Sequence, residues 1–278
     1  MGCEKKIGWA NTLELVWPEV GASTEAIERL RQGELHAITV RGVYSPNQMR
    51  ELVGQLEAAN EHVLKTYFPE DFKGWFFGQN LNLLTKSMGH YFEQAEVFSK
   101  QLNGFFEEGR GPTSHLADVL EALDVQNEYS AAPGPDLDQA YMFGTIRGHG
   151  EGGYIPPHFD NEVQMRPSYE HLSTLVEAKI YSAVLLIGEP EAGGALELFN
   201  CEMSEYMNDF RNVDTIEREP DTGQFESIEL PTNAGDLLIV DSGRYLHRVV
   251  PVRGTTIRWS LCSFMAKSVD RASVYCWG

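Results

Sequence analysis

Cysteine is scarce in this chain of 278 residues, with four cysteines at positions 3, 201, 262 and 276. None of them forms a Cys-x-x-Cys pair, so their spacing excludes a zinc ribbon and gives no support to a disulfide framework. Reduced thiols are typical of cytoplasmic proteins, and that is the location we expect.

Basic residues are also few: 22 lysines and arginines stand against 41 aspartates and glutamates, for a formal net charge of −19. Binding to nucleic acid or to an anionic membrane surface depends on clustered positive charge, so we expect neither partner. No run approaches the ~18 apolar residues of a membrane span. The first residues, MGCEKKIGWANTLELVW, lack the apolar core and cleavage site of a secretory signal. A small molecule is the partner that this composition leaves open.

No repeat and no low-complexity tract is visible, and the length suits one substantial core. Up to residue 127 the chain is mainly helical in pattern, apart from a short β-rich run at 37–44. Ser45, Pro46 and Gln48 provide a capping box with proline at the first helical position, and apolar residues at helical spacing follow. Two more helices are expected between 90 and 127, separated by the breaker at 109–112.

Short β-rich runs separated by glycine and proline turns prevail after residue 128, beyond a turn-rich linker expected at 127–135. The candidate strands are 139–147, 179–187, 195–200, 225–230, 236–241 and 257–266. Many short strands with such turns are typical of a jelly roll. We therefore expect one catalytic domain over 1–278, mainly β with N-terminal helices (α+β). In it a helical part, 1–127, packs on a cupin-like jelly-roll core, 128–278, which carries the active site.

Three residues suit a facial iron site. His158 and Asp160 stand two residues apart in GGYIPPHFDNE, and His247 follows an apolar run in GDLLIVDSGRYLHRVV. Two imidazoles and one carboxylate on one face of an iron ion leave the opposite face open for reactants. Because residues i and i+2 of a strand share a face, His158 and Asp160 can both point into a barrel. His247 must then arrive from another strand of the same barrel.

Arg258 and Ser260 follow in TTIRWSLCSF, again two residues apart. A guanidinium and a hydroxyl on one strand face suit a second carboxylate, such as that of 2-oxoglutarate. Arg147 and Thr145 end the candidate strand before the metal motif. They are candidates to bind the near carboxylate of 2-oxoglutarate or an acidic group of the substrate. A surface or structural role for Arg147 is equally compatible with the sequence.

The wall of a substrate pocket is less well defined by the sequence. An aromatic segment at 75–80 and the residues around the iron ligands supply the candidates, which are Phe76, Phe77, Asn80, Ile155, Asn161 and Val163. The glycines around His149 suit a turn toward the metal, since no P-loop lysine accompanies them, and His149 itself is not expected to be a ligand. The polar stretch 202–224 is either a lid over the substrate or an exposed insertion.

These motifs resemble those of the Fe(II)/2-oxoglutarate-dependent oxygenases, whose fold is a double-stranded β-helix, over roughly residues 139–266. Further stretches resemble a narrower branch, the freestanding aliphatic halogenases of indole alkaloids and the related hydroxylases of free or N-acylated amino acids. The matching stretches are ITVRGVY, EPEAGGALELFN, GDLLIVDSGRYLHRV and FMAKSVDRASVYCWG. The resemblance implies that His158, Asp160 and His247 bind Fe(II), that Arg258 and Ser260 bind the distal carboxylate of 2-oxoglutarate, and that O2 is the oxidant.

The chain departs from the halogenases of that branch at position 160. In those enzymes glycine or alanine replaces the carboxylate, and chloride takes the vacated coordination position. Because Asp160 is present here, the resemblance implies hydroxylation of an unactivated C–H bond in a free small molecule, with 2-oxoglutarate converted to succinate and CO2.

Three alternatives stay open at this point. One is a binding or scaffold protein with a vestigial site, against which the intact triad argues. The same cofactors can give desaturation or ring closure, because a substrate radical can lose a second hydrogen. A non-oxidative cupin-like enzyme with zinc or manganese would use the same three ligands, but it would have no need of Arg258 and Ser260.

Overall fold

The computed structural model describes residues 2–21, 23–63, 65–83, 87–107, 110–160, 167–204, 222–270 and 273–278. The helices of these residues are α1 (Ala26–Gln32), α2 (Pro46–Ala59), α3 (Met88–Gly104), α4 (Ala117–Leu123) and α5 (Leu172–Leu175). The first strands are β1 (Cys3–Ile7), β2 (Ala10–Val16), β3 (Ala37–Arg41), β4 (Lys65–Tyr67), β5 (Gly74–Phe77), β6 (Glu128–Ala131), β7 (Thr145–His149) and β8 (Ile155–His158). The remaining strands are β9 (Tyr181–Gly188), β10 (Leu196–Glu202), β11 (Ser227–Leu230), β12 (Leu237–Val240), β13 (Tyr245–Val249), β14 (Arg258–Lys267) and β15 (Ser273–Trp277).

Two sheets face each other in a jelly roll. Within the described ranges, the major sheet has the order β1-β2-β3-β12-β9-β14-β7-β5-β4, and β15 and β6 extend it beside β14. The minor sheet has the order β11-β10-β13-β8. Most neighbouring strands are antiparallel, whereas β2 runs parallel to β3 and β15 runs parallel to β6. The fold class expected from the sequence, a jelly roll packed by helices, is confirmed.

Strand alternation gives the major sheet two different faces. Trp259 and Leu261 of β14 point outward and belong to a large apolar core that the sheet shares with the helices. A smaller core lies between the two sheets; it comprises Ala10, Ala37, Leu196, Leu198, Ile228, Leu230, Leu238, Val240 and Tyr245. The part of the intersheet space beside β7 and β14 is lined by both polar and apolar residues, and its histidines, carboxylate and arginines make it the candidate site.

The helical layer begins as the sequence predicts. The Ser45 side chain accepts a hydrogen bond from the backbone N–H of Gln48, and the Gln48 side chain accepts one from the backbone N–H of Ser45. Helix α2 then buries Met49, Leu52 and Leu56 on one side. Helices α3 and α4 lie on either side of the predicted breaker.

Several element boundaries differ from those expected. The predicted linker at 127–135 contains strand β6, which pairs with β15, so the turn-forming residues there surround a short strand. The candidate strand 139–147 forms only from Thr145 onward. The first 127 residues supply strands β1 to β5 to the major sheet in addition to four helices, so the two parts of the expected single domain share one sheet. That division of the chain, and the domain itself, stay predictions.

Among the helices of the described ranges, none combines the length and the apolar character needed to cross a membrane.

Candidate active site

The three candidate iron ligands meet in the space between the sheets. His158 ends β8 and lies directly opposite His247 of β13 in the strand register. Asp160 Oδ1 is 3.3 Å from His158 Nε2, and Asp160 Oδ2 is 3.5 Å from His247 Nε2. One ligand atom from each residue lies within 4.8 Å of the other two. The group therefore converges on a single point, as a metal ion requires.

Backbone contacts orient both imidazoles. His158 Nδ1 lies 2.7 Å from the Pro156 carbonyl oxygen, and His247 Nδ1 lies 3.1 Å from the Tyr245 carbonyl oxygen. A carbonyl oxygen can only accept, so each Nδ1 carries the proton and donates it. This tautomer leaves each Nε2 with a lone pair directed at the shared point, which is the arrangement of a metal-bound histidine.

Asp160 reaches this point from outside the strand. Strand β8 ends at His158, and the backbone N–H of Asp160 donates instead to the Ser242 carbonyl oxygen at 3.0 Å. The expectation that one strand carries both His158 and Asp160 is therefore wrong, because a loop contact holds the carboxylate. Burial alone would raise the pKa of the Asp160 carboxyl, but His247 and His158 lower it well below its usual range, so it is ionised. Burial likewise opposes the charge on His158, whereas Asp160 raises the pKa of that imidazole.

Arg258 and Ser260 form the second predicted group. Arg258 is buried; its Nε donates to the Gly194 carbonyl oxygen at 2.7 Å, and its Nη1 donates to Ser260 Oγ at 3.0 Å. Burial and the nearby Arg147 lower the pKa of the Arg258 guanidinium to about 10, so it keeps its positive charge at neutral pH. None of the ion pairs among the described residues involves Arg258, and an anion entering the cavity would find this charge unpaired.

Arg147 and Thr145 lie on the next strand. Arg147 is the register partner of Ser260, and Thr145 is the partner of Cys262, so both are on the inner face of the sheet. Arg147 also lines the cavity. The Arg147 guanidinium lies between two aromatic rings, 5.2 Å from the centroid of Phe76 and 5.4 Å from that of Phe264. Within the described part of the chain, Arg147 Nε and Thr145 Oγ1 are buried and have no hydrogen-bond partner.

One cavity joins both groups. It is lined by Arg147, Ile155, His158, Asp160, Ser182, Val184, Leu196, His247, Val249, Arg258, Ser260 and Cys262. The metal-binding group and the arginines therefore share a space, as a co-substrate that bridges them requires. Sequence reasoning missed Ser182, Val184 and Cys262, although alternation along their strands could have found them, since Cys262 stands two residues beyond Ser260.

Some of the predicted substrate residues lie at the cavity, and others lie away from it. Ile155 lines the cavity, and Phe76 packs against Arg147 on the inner face. Phe77 points to the opposite face, where its ring meets that of Trp259 at 5.3 Å, so the structure does not bring it to the site. Asn80 is buried and accepts a hydrogen bond from the Asn82 backbone, away from the cavity lining. Asn161 and Val163 lie outside the described residues, as do positions 205–221 of the predicted lid.

The residues present fit iron and 2-oxoglutarate. Two neutral imidazoles and an ionised carboxylate form the donor set of a facial non-haem iron site. The unpartnered polar atoms of Arg147 and Thr145 need polar partners, since buried polar groups in native proteins are almost always hydrogen-bonded. A dicarboxylate that reaches from the metal to Arg258 would supply such partners.

Arg248 is next to His247 on β13 but, unlike Arg258, it is paired with a carboxylate. Its Nε donates to Glu197 Oε2 at 2.6 Å, and its guanidinium lies 5.5 Å from the centroid of the Phe199 ring on the outer face of the minor sheet. It is therefore structural.

Solved structures share the fold. An N-substituted L-amino acid dioxygenase from Burkholderia ambifaria superposes with a TM-score of 0.55 at 16% identity, covering 92% of this chain and 91% of that one. Its complex with α-ketoglutarate gives a TM-score of 0.56 at 14% identity and covers 99% and 97% of the two chains. The epimerase SnoN from nogalamycin biosynthesis, with Fe3+, α-ketoglutarate and nogalamycin RO, gives 0.50 at 14% identity, with coverages of 86% and 82%.

The family assignment comes from the sequence. No curated protein matches the chain significantly. The sequence model of the carrier-protein-independent halogenase WelO5, however, matches residues 9–278. The recognition of an Fe(II)/2-oxoglutarate oxygenase is thereby confirmed, and with it the enzyme class and its cofactors Fe(II), 2-oxoglutarate and O2. The chain belongs to the family of the carrier-protein-independent halogenase WelO5.

Proposed function

We propose that this enzyme is an Fe(II)/2-oxoglutarate-dependent dioxygenase that hydroxylates an unactivated C–H bond of a free small molecule, such as an amino acid derivative or another specialised metabolite. The observation that carries the proposal is the ionised carboxylate of Asp160, 3.3 Å from His158 Nε2 and 3.5 Å from His247 Nε2. That carboxylate completes a set of three protein ligands.

Each group of the cavity has a distinct task. The two Nε2 atoms and the Asp160 carboxylate would hold Fe(II), while Arg258 and Ser260 would bind the distal carboxylate of 2-oxoglutarate. When bound, iron and 2-oxoglutarate supply the activation of O2 and the oxidising power. The chain orients the reactants: the backbone contacts of both histidines fix their tautomers, and the apolar Ile155, Leu196 and Val249 exclude water.

Asp160 favours hydroxylation over halogenation. Asp160 would give the iron a third protein ligand beside His158 and His247. A halide ion would therefore have to compete with the protein's own carboxylate for a place on the metal. Membership of a halogenase family nevertheless makes halogenation a second candidate.

The family description supports a free substrate, because a carrier-protein-independent enzyme needs no tethered one. The name of the Burkholderia ambifaria dioxygenase agrees, since N-substituted L-amino acids are free small molecules.

The test is succinate formation by purified enzyme with Fe(II), 2-oxoglutarate, O2 and a panel of amino acid derivatives and other metabolites. We expect substrate-stimulated succinate and a product that is heavier by one oxygen atom. His158→Ala and His247→Ala should lose this activity by roughly a hundredfold or more, because each removes a metal ligand. Normal turnover by both variants would contradict the proposal.

The product mass separates the outcomes. Loss of two hydrogens would indicate desaturation or ring closure, and a chlorinated product in the presence of chloride would establish halogenation. Failure of 2-oxoglutarate to change the visible spectrum of the anaerobic Fe(II) enzyme would favour the non-oxidative alternative.

A further inference from the structure

His149 is a buried histidine that the proposed reaction does not use. Its side chain is fully buried, yet neither ring nitrogen has a hydrogen-bond partner in the described part of the chain. Leaving a buried donor or acceptor unpaired is destabilising, because the group has lost its hydrogen bonds to water without a replacement. Native structures contain few such groups, and each one calls for an explanation.

Strand register puts His149 beside the 2-oxoglutarate pocket. His149 and Arg258 are opposite each other on β7 and β14, and Arg147 and Ser260 form the next inward-facing pair. Directly opposite residues of antiparallel strands point to the same face. The imidazole therefore stands on the inner face of the sheet, next to the arginine that is proposed to bind the distal carboxylate.

Two glycines, Gly74 and Gly153, pack closely against the His149 side chain. A Cβ built on Gly74 would lie 2.9 Å from His149 Cδ2 and 3.1 Å from Nε2, and one built on Gly153 would lie 3.0 Å from His149 Cβ. The Phe68 ring covers the site at a centroid distance of 5.5 Å. The Cδ2–Nε2 edge therefore faces Gly74 on β5, and Nδ1 is on the other edge of the ring. Strand β7 lies between β5 and β14, so the side of β7 away from Gly74 is the side of Arg258.

The electrostatic environment keeps this ring neutral. Burial, followed by the positive charges of Arg258 and Arg147, lowers the pKa of His149 well below its usual range. A neutral imidazole has one N–H donor and one acceptor nitrogen. It can donate to a carboxylate without adding a third positive charge to the cavity.

We propose that His149 is a binding residue of the 2-oxoglutarate pocket, whose imidazole N–H donates a hydrogen bond to the distal carboxylate held by Arg258 and Ser260. This inference rests on the proposed function. It gives the imidazole the hydrogen-bond partner that it lacks among the described residues. The competing account is a buried water that satisfies the ring without contact to the co-substrate.

The experiment compares two co-substrates in titrations of the Mn(II)-loaded, oxygen-free protein. 2-Oxoglutarate has the distal carboxylate, whereas 2-oxopentanoate has a methyl group in its place and keeps the same metal-binding end. His149→Phe should weaken the binding of 2-oxoglutarate roughly tenfold to a hundredfold, the range for a hydrogen bond to a charged group. It should leave the affinity for 2-oxopentanoate unchanged. His149→Gln, which keeps an N–H donor, should restore part of the loss.

His115→Phe is the matched control. His115 is also a buried histidine, but it lies in the helical layer, where its ring Nε2 pairs with the Val43 carbonyl oxygen at 3.0 Å. Its replacement should leave the affinities for both co-substrates unchanged. Equal affinity changes for both co-substrates in His149→Phe, or no change in either, would overturn the proposal in favour of the buried water.

Two further measurements keep the proposal testable. The first is NMR of the Zn(II)-loaded wild-type protein labelled with 15N-histidine. One imidazole signal beyond those of His158 and His247 should shift with 2-oxoglutarate but not with 2-oxopentanoate. Absence of such a shift would contradict the proposal even if His149 variants fail to fold.

The second, Arg258→Met, separates the proposed function from the role of His149. If it fails to weaken 2-oxoglutarate binding, the proposed function itself fails; if it does weaken binding while His149→Phe does not, only the role of His149 is refuted.

Discussion

The two faces of strand β14 differ in role: one lines the cavity and the other packs in the apolar core, although their residues alternate along one stretch of chain. Arg258 and Ser260 point into the cavity and are polar, whereas Trp259 and Leu261 point outward and are packed in the core under the helices. Both sets are buried, with exposed fractions of at most 4%. Burial by itself therefore does not distinguish a stability residue from a binding residue, but the face and the available partners do.

The same alternation divides β7 and β5. Arg147 and Thr145 face inward with unpartnered polar atoms, while Ile146 between them belongs to the outer core. Phe76 meets the Arg147 guanidinium, and the adjacent Phe77 meets Trp259. Substitutions on the two faces should consequently fail in different assays, and this can be tested.

Asp160→Gly should have the largest effect on the inner side. The variant lacks one of the three proposed iron ligands, so the proposed hydroxylase activity should fall by roughly a hundredfold or more, while the protein stays folded. With the competing carboxylate gone, added chloride or azide should be transferred to the substrate. Product analysis by mass spectrometry measures both outcomes, and retention of most of the hydroxylase activity would contradict the role of Asp160.

Trp259→Ala and Arg258→Met test the comparison on neighbouring residues. Trp259→Ala should lower the free energy of unfolding by about 3–5 kcal/mol, because it leaves a large cavity in the outer core. Arg258→Met should weaken 2-oxoglutarate binding by on the order of a hundredfold, since it removes the buried charge proposed to pair with the distal carboxylate. It should change stability little, because apolar replacement of a buried charge is often neutral.

Denaturant unfolding and anaerobic 2-oxoglutarate titration, applied to both variants, decide the matter. A large loss of stability in Arg258→Met together with unchanged affinity would break the distinction between the two faces.

Asp241→Asn should have the smallest effect and concerns the turn that holds Asp160. Burial raises the pKa of the Asp241 carboxyl to about 6, although Arg244, 2.8 Å away, acts in the opposite direction. Because the folded state binds this proton more tightly, the contribution of Asp241 to stability is complete below the unfolded pKa near 4 and is lost as the pH rises through about 6. The variant should lack this contribution to the pH dependence of the unfolding free energy. The unfolding free energies of the wild type and Asp241→Asn should therefore diverge between pH 4 and 6. Parallel slopes across this window would contradict it.

Much of the site could be predicted because strand periodicity is local. The two-residue spacing of Arg258 and Ser260 predicted a shared strand face, and in the structure Arg258 Nη1 donates to Ser260 Oγ at 3.0 Å. The capping box at Ser45 was equally visible, since all its atoms come from four consecutive residues. The assumption that His158 and Asp160 share one strand face failed, because the strand ends at His158. Asp160 is held instead by a hydrogen bond from its backbone N–H to the Ser242 carbonyl oxygen, a contact between positions far apart in the sequence. The periodicity of strands was also not applied to Phe76 and Phe77, whose alternation sends them to opposite faces.

The sequence by itself determined the chemistry: two histidines, one carboxylate, an arginine and a serine, all in motifs short enough to read along the chain. The tertiary structure decided their geometry, since the meeting of His158 with His247 depends on the pairing of β8 with β13. It also decided the environment of His149, which stands beside Arg258 only because β7 pairs with β14. Residue types fix which interactions are possible, whereas burial and long-range strand pairing fix which partners are present and how strongly they interact.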